Sequence, residues 1–231
     1  MDYNNTEKVE LAKKIYLYLG AIFITSLVVS NLIFQKFFYW YPFDISLFGF
    51  NLFELSVGIL PYPITFLVTD LISELYGQKR ANQVVVSGFF ASVFTTLLVL
   101  ISVNATAVQW SPIDSATFSK VFGLTGPAFF ASMVAYLTAQ LIDVRIFHFW
   151  KRLTKGKHLW IRNNASTMFS QLVDTSVILI ILCSAGVIEW ERFYGLWMMG
   201  WIFKVLVALI DTPIIYGIIY LLKGKIDIAK E

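Results

Sequence analysis

QLIDVRIFHFW (140–150), KRLTKGKHLWIRNN (151–164) and ASTMFSQLVDT (165–175) form two apolar segments joined by a short, strongly cationic stretch. Each apolar segment carries a glutamine and an aspartate three residues apart, Gln140 with Asp143 and Gln171 with Asp174. Positions i and i+3 share one face of a helix, so each segment aims an amide and a carboxylate the same way. What surrounds these groups decides whether that arrangement is ordinary or costly.

Composition answers that question. Hydrophobic residues make up 58% of the 231, charged residues only 14%, and the mean hydropathy is +0.70. An ordinary soluble domain is about a quarter charged, so this chain lacks the polar residues to cover itself. It reads as an all-α polytopic membrane protein, a single transmembrane domain over 1–231. The one cysteine, Cys183, lies in an apolar run and excludes an intrachain disulfide, and a formal charge of +3 is too small to suggest nucleic acid.

Outward from the opening stretch, apolar runs predict spans at about 15–35, 61–76, 81–103, 127–150, 165–187 and 195–222. A helix of about twenty residues crosses the roughly 30 Å hydrocarbon core. Between the first two spans, 36–60 is aromatic and interrupted by Pro42, Gly49 and Gly58, which predicts an interfacial excursion with short extended pieces. Tyr39, Trp40 and Tyr41 suit the headgroup layer. Pro61 and Pro63 open the second span, and SPIDSATFSKVFG (111–123) predicts a short helix capped near Asp114 or Ser115. Ala131, Ala135 and Ala139 form a small-residue ridge that allows close helix approach.

Lysine and arginine sort by side. The N-terminus, the second-to-third and fourth-to-fifth connections and the C-terminus hold thirteen; the other connections hold Lys36, Lys120 and Arg192. The positive-inside rule then places both termini in the cytoplasm.

Asp70, Glu74, Asp143, Arg145, Asp174, Lys204 and Asp211 remain inside the spans. Each costs about 2.5–3.5 kcal/mol at a helix centre on insertion scales. Counting from the span ends puts Asp70, Asp143, Asp174 and Asp211 about 10–17 Å from the cytoplasmic border, with Lys204 near the midplane. One reading is a structural ion-pair layer in which Lys204 and Arg145 neutralise acids while Glu74 and Arg145 snorkel. The other is a polar cavity for a solute or ion, favoured by the neutral groups Gln140, Gln171, Asn31 and Thr69. The basic stretch 151–164 is explained by topology and anionic lipid, and Asn163, Asn164, Ser166 and Thr167 by capping of the fifth span. Catalytic signatures are missing: there is no G-x-S-x-G, H-E-x-x-H or Walker A loop, and neither a cofactor nor a metal is called for.

The segments PITFLVTDLISELYG (63–77), QLIDVRIF (140–147), Trp160 with NNAST (163–167), QLVDT (171–175) and FKV (203–205) resemble the bacterial queuosine precursor transporters (the YhhQ family), grouped with vitamin uptake transporters. The resemblance implies six transmembrane helices, an inner-membrane location and a fold like the substrate-binding subunits of energy-coupling-factor transporters. It also implies uptake of 7-deazaguanine bases such as 7-cyano-7-deazaguanine for tRNA queuosine salvage. Asn31, Asp70, Gln140, Asp143, Gln171, Asp174 and Lys204 fall on its polar motif positions; Asp211 falls on none.

A guanine-type edge offers adjacent N–H donors that one carboxylate accepts, and its carbonyl wants a donor. One of Asp70, Asp143 or Asp174 is therefore expected on the donor edge, with Gln140 or Gln171 on the carbonyl. Lys204 is expected against a second acid, and Phe66, Phe147 and Trp160 stacked on the ring. The competing expectations are a vitamin-binding subunit that partners an energy-coupling ATPase module, and an ion or proton channel. A homo-oligomer is a further open partner.

Overall fold

The computed structural model describes residues 5–39, 46–47, 50–51, 54–123 and 126–226. Trp40 and Tyr41 of the expected interfacial aromatics, and Lys230 of the C-terminal cluster, lie outside them. The elements run α1 (Asn5–Ile33), β1 (Phe37–Tyr39), β2 (Ser46–Leu47), β3 (Phe50–Asn51), β4 (Glu54–Ser56), α2 (Tyr62–Asn104), α3 (Ser115–Phe122), α4 (Gly126–Leu153), α5 (Leu159–Ser184) and α6 (Phe193–Leu222). Stretches 6–33, 57–104, 159–184 and 190–222 are each long and apolar enough to cross a membrane.

Burial is sorted the way lipid requires. Leu17, Phe90, Phe94, Ile101, Ile210 and Leu221 are exposed, whereas Asp70, Gln140, Asp143, Arg162, Gln171 and Lys204 are buried. Water would penalise that arrangement, while acyl chains penalise the reverse. The chain is an α-helical, multi-pass membrane protein.

A straight 43-residue α2 would be about 64 Å long, far more than a bilayer core. It turns back at Gly77 (φ 84°, ψ 174°). The backbone of Gly58, just before α2, abuts Ser30 and Phe34 near the end of α1. Tyr76 then donates to Ala12 O at 2.8 Å, while beyond the turn Tyr16 donates to Arg80 O and Gly88 packs under Phe23 and Leu27. The first arm of α2 therefore runs against α1 and the second runs alongside it, making six long helical arms among the described residues. A connection expected over 77–82 is in fact one residue.

That residue sits in a region essentially reserved for glycine. Gly77→Ala is expected to destabilise the fold by about 1–3 kcal/mol, even though a Cβ there would meet nothing within 4 Å. Thermal unfolding in detergent checks it, and an unchanged midpoint would show that the turn carries no strain.

The excursion before α2 forms two antiparallel ladders, β1 with β4 (Phe37 opposite Ser56) and β2 with β3 (Ser46 opposite Asn51). Ser30 donates to Gly58 O and Ser56 to Phe34 O, both at 2.5 Å, pinning the hairpin base on α1. Asp114 caps α3 by accepting from Thr117 N at 2.7 Å, which holds its carboxyl below the usual range. Ala131, Ala135 and Ala139 are all buried along α4, with Ala131 packed against Leu182 of α5.

Asn163, Asn164, Ser166 and Thr167 do not cap a helix. α5 already starts at Leu159, with His158 before it in the left-handed region. The four lie buried inside its first turns, and both asparagine amides donate to Thr212 Oγ1 of α6. The tight 154–158 turn lets the helix begin before the asparagines are reached.

Candidate functional site

Three polar levels are stacked along the axis of the bundle. The first surrounds a cavity of about 180 Å³ between the end of α1, the hairpin, the start of α2, the start of α4, the end of α5 and the start of α6. Its walls are largely apolar, with Phe34, Leu55, Ile178 and Leu182 among them, and its polar groups include Asn31, Tyr62, Asp174, Thr175 and Lys204 beside Ser30, Ser56 and Ser132. Lys204 Nζ donates to Asp174 Oδ2 at 2.6 Å and to Thr175 Oγ1 at 3.1 Å, and lies 5.2 Å from the centre of the Tyr62 ring. The Tyr62 hydroxyl donates to Asp174 Oδ1 at 2.8 Å. Each carboxylate oxygen keeps a second lone pair for another donor. Asn31 Oδ1 accepts from Ser132 at 2.6 Å, while its buried Nδ2 has no protein acceptor. The cavity thus offers an acceptor and a donor across an apolar slot, the usual make-up of a small-molecule site.

The second level is closed off from the cavity lining. Gln140 Nε2 donates to Thr65 Oγ1 at 3.0 Å and its Oε1 lies 3.3 Å from the Thr69 hydroxyl, so both ends of the amide are occupied. Asp70 and Asp143, fully buried on α2 and α4, sit side by side. Thr167 donates to Asp70 Oδ2 at 3.2 Å and Ser170 to Asp143 Oδ1 at 2.8 Å. Asp70 Oδ1 and Asp143 Oδ2 accept no well-formed hydrogen bond, and neither does the buried Oε1 of Gln171. Among the described residues no lysine or arginine pairs with either aspartate. Two charges at about 4 Å repel by about 4 kcal/mol even at an effective dielectric constant of 20, so two ionised groups here would be strongly opposed.

The third level is a salt cluster at the far end. Glu74 forms ion pairs with Lys151 at 2.9 Å and with Arg162 at 2.7 Å. Arg162, 1% exposed, also donates to Gly156 O and Lys157 O, and its guanidinium carbon lies over the Phe147 ring, 5.6 Å from its centre.

Several sequence expectations change in this light. Glu74 does not snorkel; it is clamped between two cations. Arg145 neutralises no acid in this layer, because it faces outward. Of the expected site residues, Asn31, Asp174 and Lys204 line the cavity. Asp70, Gln140, Asp143 and Gln171 form the packed level beneath it. Phe66 lies behind Tyr62 with ring centres 5.6 Å apart, Phe147 is roofed by Arg162, and the Trp160 side chain is 53% exposed. These three rings do not line the slot: Phe66 turns to another face of α2, one turn beyond Tyr62, while Phe147 and Trp160 lie near the level of Arg162, toward the ends of α4 and α5 away from the cavity.

Tyr62 is a cavity residue that sequence reasoning passed over, since an aromatic between two prolines looks like a membrane-interface anchor. Thr65, Thr167 and Ser170, which hold the buried amide and carboxylates, resemble ordinary helix serines and threonines and carry no signal of their own. Among the described residues no group of three or more His, Cys, Asp or Glu is placed to hold a metal ion.

A family model described as "Putative vitamin uptake transporter" matches residues 56–218. The chain is 27% identical over 178 residues, 75% of its length and 74% of the other's, to a "Probable queuosine precursor transporter" of Bacillus subtilis (strain 168). It is 29% identical over 171 residues (72% and 69%) to a protein of the same name from Haemophilus influenzae. To the "Queuosine precursor transporter" of Escherichia coli (strain K12) it is 24% identical over 185 residues, 78% of each chain. No solved structure matches the chain.

Proposed function

Because this chain belongs to the vitamin uptake transporter family, we propose that it imports a queuosine precursor, a 7-deazaguanine base such as 7-cyano-7-deazaguanine, across the bacterial inner membrane. The observation that carries the reading is the apolar slot with Asp174 on one side and the unpartnered amide of Asn31 on the other. Asp174 accepts the N–H and amino donors of the guanine-type edge, Asn31 Nδ2 donates to the ring carbonyl, and the aliphatic walls enclose the ring faces. Lys204 and Tyr62 both donate to Asp174 and keep its carboxylate correctly turned. The volume is small for ligand sites, which usually run to about 300–1,000 Å³, and that suits a compact base better than a nucleoside.

Charge bias puts both termini in the cytoplasm, so the cavity, at the opposite ends of α1 and α6, lies toward the outside. The Glu74 cluster then closes the cytoplasmic end. In this state the solute enters from outside and is held above a closed floor.

Purified protein should melt at a higher temperature with 7-cyano-7-deazaguanine, because a ligand at 100 times its Kd adds about 2.7 kcal/mol to the folded state. Asn31→Ala should weaken binding roughly tenfold, the effect of about 1.4 kcal/mol from one lost hydrogen bond. A melting temperature that no deazaguanine raises, in protein that unfolds cooperatively, would end this assignment.

A further inference from the structure

Asp70 and Asp143 do not line the cavity, yet both are buried in the middle of the bundle. Each is fully buried, and each has one oxygen served by a hydroxyl of α5, Thr167 or Ser170. The remaining oxygens, Asp70 Oδ1 and Asp143 Oδ2, accept no well-formed hydrogen bond, although the Ser166 hydroxyl of α5 also lies close to Asp143 and the two carboxyl groups lie within hydrogen-bonding reach of each other. A buried acceptor without a donor is rare and costly. The missing ligand that fits between two carboxylate oxygens at contact is one proton.

The surrounding charges strengthen this reading. Lys204 is engaged by Asp174, one turn along α5 from Ser170, and Lys151 and Arg162 are engaged by Glu74, one turn along α2 from Asp70. From α6 the ionisable group that bears on Asp70 is another acid, Asp211. From α5 the pair meets only hydroxyls at its own level. The cations of the adjoining levels already have acidic partners, and a third acid lies beside the pair, so protons and little else can neutralise it.

Its position matters as much as its chemistry. The pair joins α2 to α4 and, through Thr167 and Ser170, both to α5, midway between the solute cavity and the cytoplasmic salt cluster. We infer that the Asp70–Asp143 pair is a proton-binding site that is loaded from the outer side and emptied to the cytoplasm in each cycle, so that solute entry is coupled to proton entry. Loading adds one proton from outside water to the two facing oxygens and lets α2 and α4 stay together. Unloading releases that proton to cytoplasmic water, restores the repulsion and drives the two helices apart at this level. The inference rests on the import reading, and its test separates the two.

The purified protein is reconstituted in vesicles that contain the pH dye pyranine, with membrane potential held at zero by valinomycin and equal potassium. Radiolabelled 7-cyano-7-deazaguanine is added outside. With the outside one pH unit more acid, coupling of one proton per base supports about tenfold accumulation, one decade per pH unit. Solute-dependent acidification of the lumen is expected, and a protonophore should abolish both. Asp70→Asn and Asp143→Asn should each lose the accumulation.

Label that merely equilibrates, with no acidification, overturns the coupling and leaves import standing. Label that never enters overturns both. Accumulation driven by a sodium gradient in place of the pH gradient, or tenfold accumulation retained in either asparagine variant, removes the proton from the pair. Should the variants fail to fold, the wild-type response to protonophore decides the matter.

Discussion

Lys204→Met is expected to destabilise the protein by about 3–5 kcal/mol and to abolish solute binding, with the first effect reversed and the second retained when Asp174→Asn is added. Removing one member of a buried ion pair leaves the other charged and unmatched, and such losses run to about that size. Lys204 and Asp174 have side chains only 8% and 7% exposed, 2.6 Å apart, on α6 and α5. Without the ammonium, Asp174 keeps one donor, the Tyr62 hydroxyl. The double variant removes both charges and puts an amide beside a thioether of similar reach, so stability returns while the acceptor for the guanine edge does not. Melting curves in detergent, with and without 7-cyano-7-deazaguanine, check both halves. A double variant as unstable as the single one would mean that packing, and not charge, dominates there. The non-additivity itself measures the pair, because the two side chains touch.

That Lys204 would stand near an acid was legible in the sequence, though not which of Asp70, Asp143 and Asp174, and the reason is geometric. Depth along a helix is a count of residues at 1.5 Å each, so residue numbers alone place Asp174 and Lys204 near one level. The same count puts Asp70 and Asp143 together. Rotation about the helix axis is not a count. Nor are the helix ends: with α5 starting at Leu159, the Q-x-x-D pattern could not separate Asp174, at the cavity, from Asp143, which meets Asp70 one level below. Trp160 does not line the cavity because it stands in the first turn of α5, at the other end of that helix. The apolar character of both segments, and hence the membrane class, survived because it needs composition alone.

Ends of elements were less legible. Tallying Lys and Arg by connection treats every charge in 151–164 as loop, and α5 begins at Leu159, inside that stretch. Arg162 therefore looked like a topology signal although it is among the least exposed residues in the protein. The 77–82 connection likewise vanished into a single glycine, since two helices can meet with no loop once one residue takes a conformation closed to the others.

Arg162 is where the second large effect is expected: Arg162→Ala should cost about 3–5 kcal/mol, and Arg162→Lys should recover only a minor part. The guanidinium serves three partners at once. One nitrogen pairs with Glu74 of α2 at 2.7 Å, another holds the carbonyls of Gly156 and Lys157 at 3.0 and 3.1 Å, and the guanidinium carbon lies over the Phe147 ring of α4, 5.6 Å from its centre. The turn it grips contains Lys155, Gly156 and His158 at positive φ, two of them not glycine, so the backbone there is strained and needs anchoring. An ammonium can keep the pairing with Glu74 but cannot present donors in a planar fork or lie flat on a ring. If charge alone mattered, lysine would restore the melting temperature, because Lys151 is already half-shared with Glu74 at 2.9 Å. Restoration by lysine would reduce the site to a simple ion pair. Failure of lysine, with loosened proteolytic protection at 154–158, would establish that the strained turn, α2 and α4 are held through one side chain.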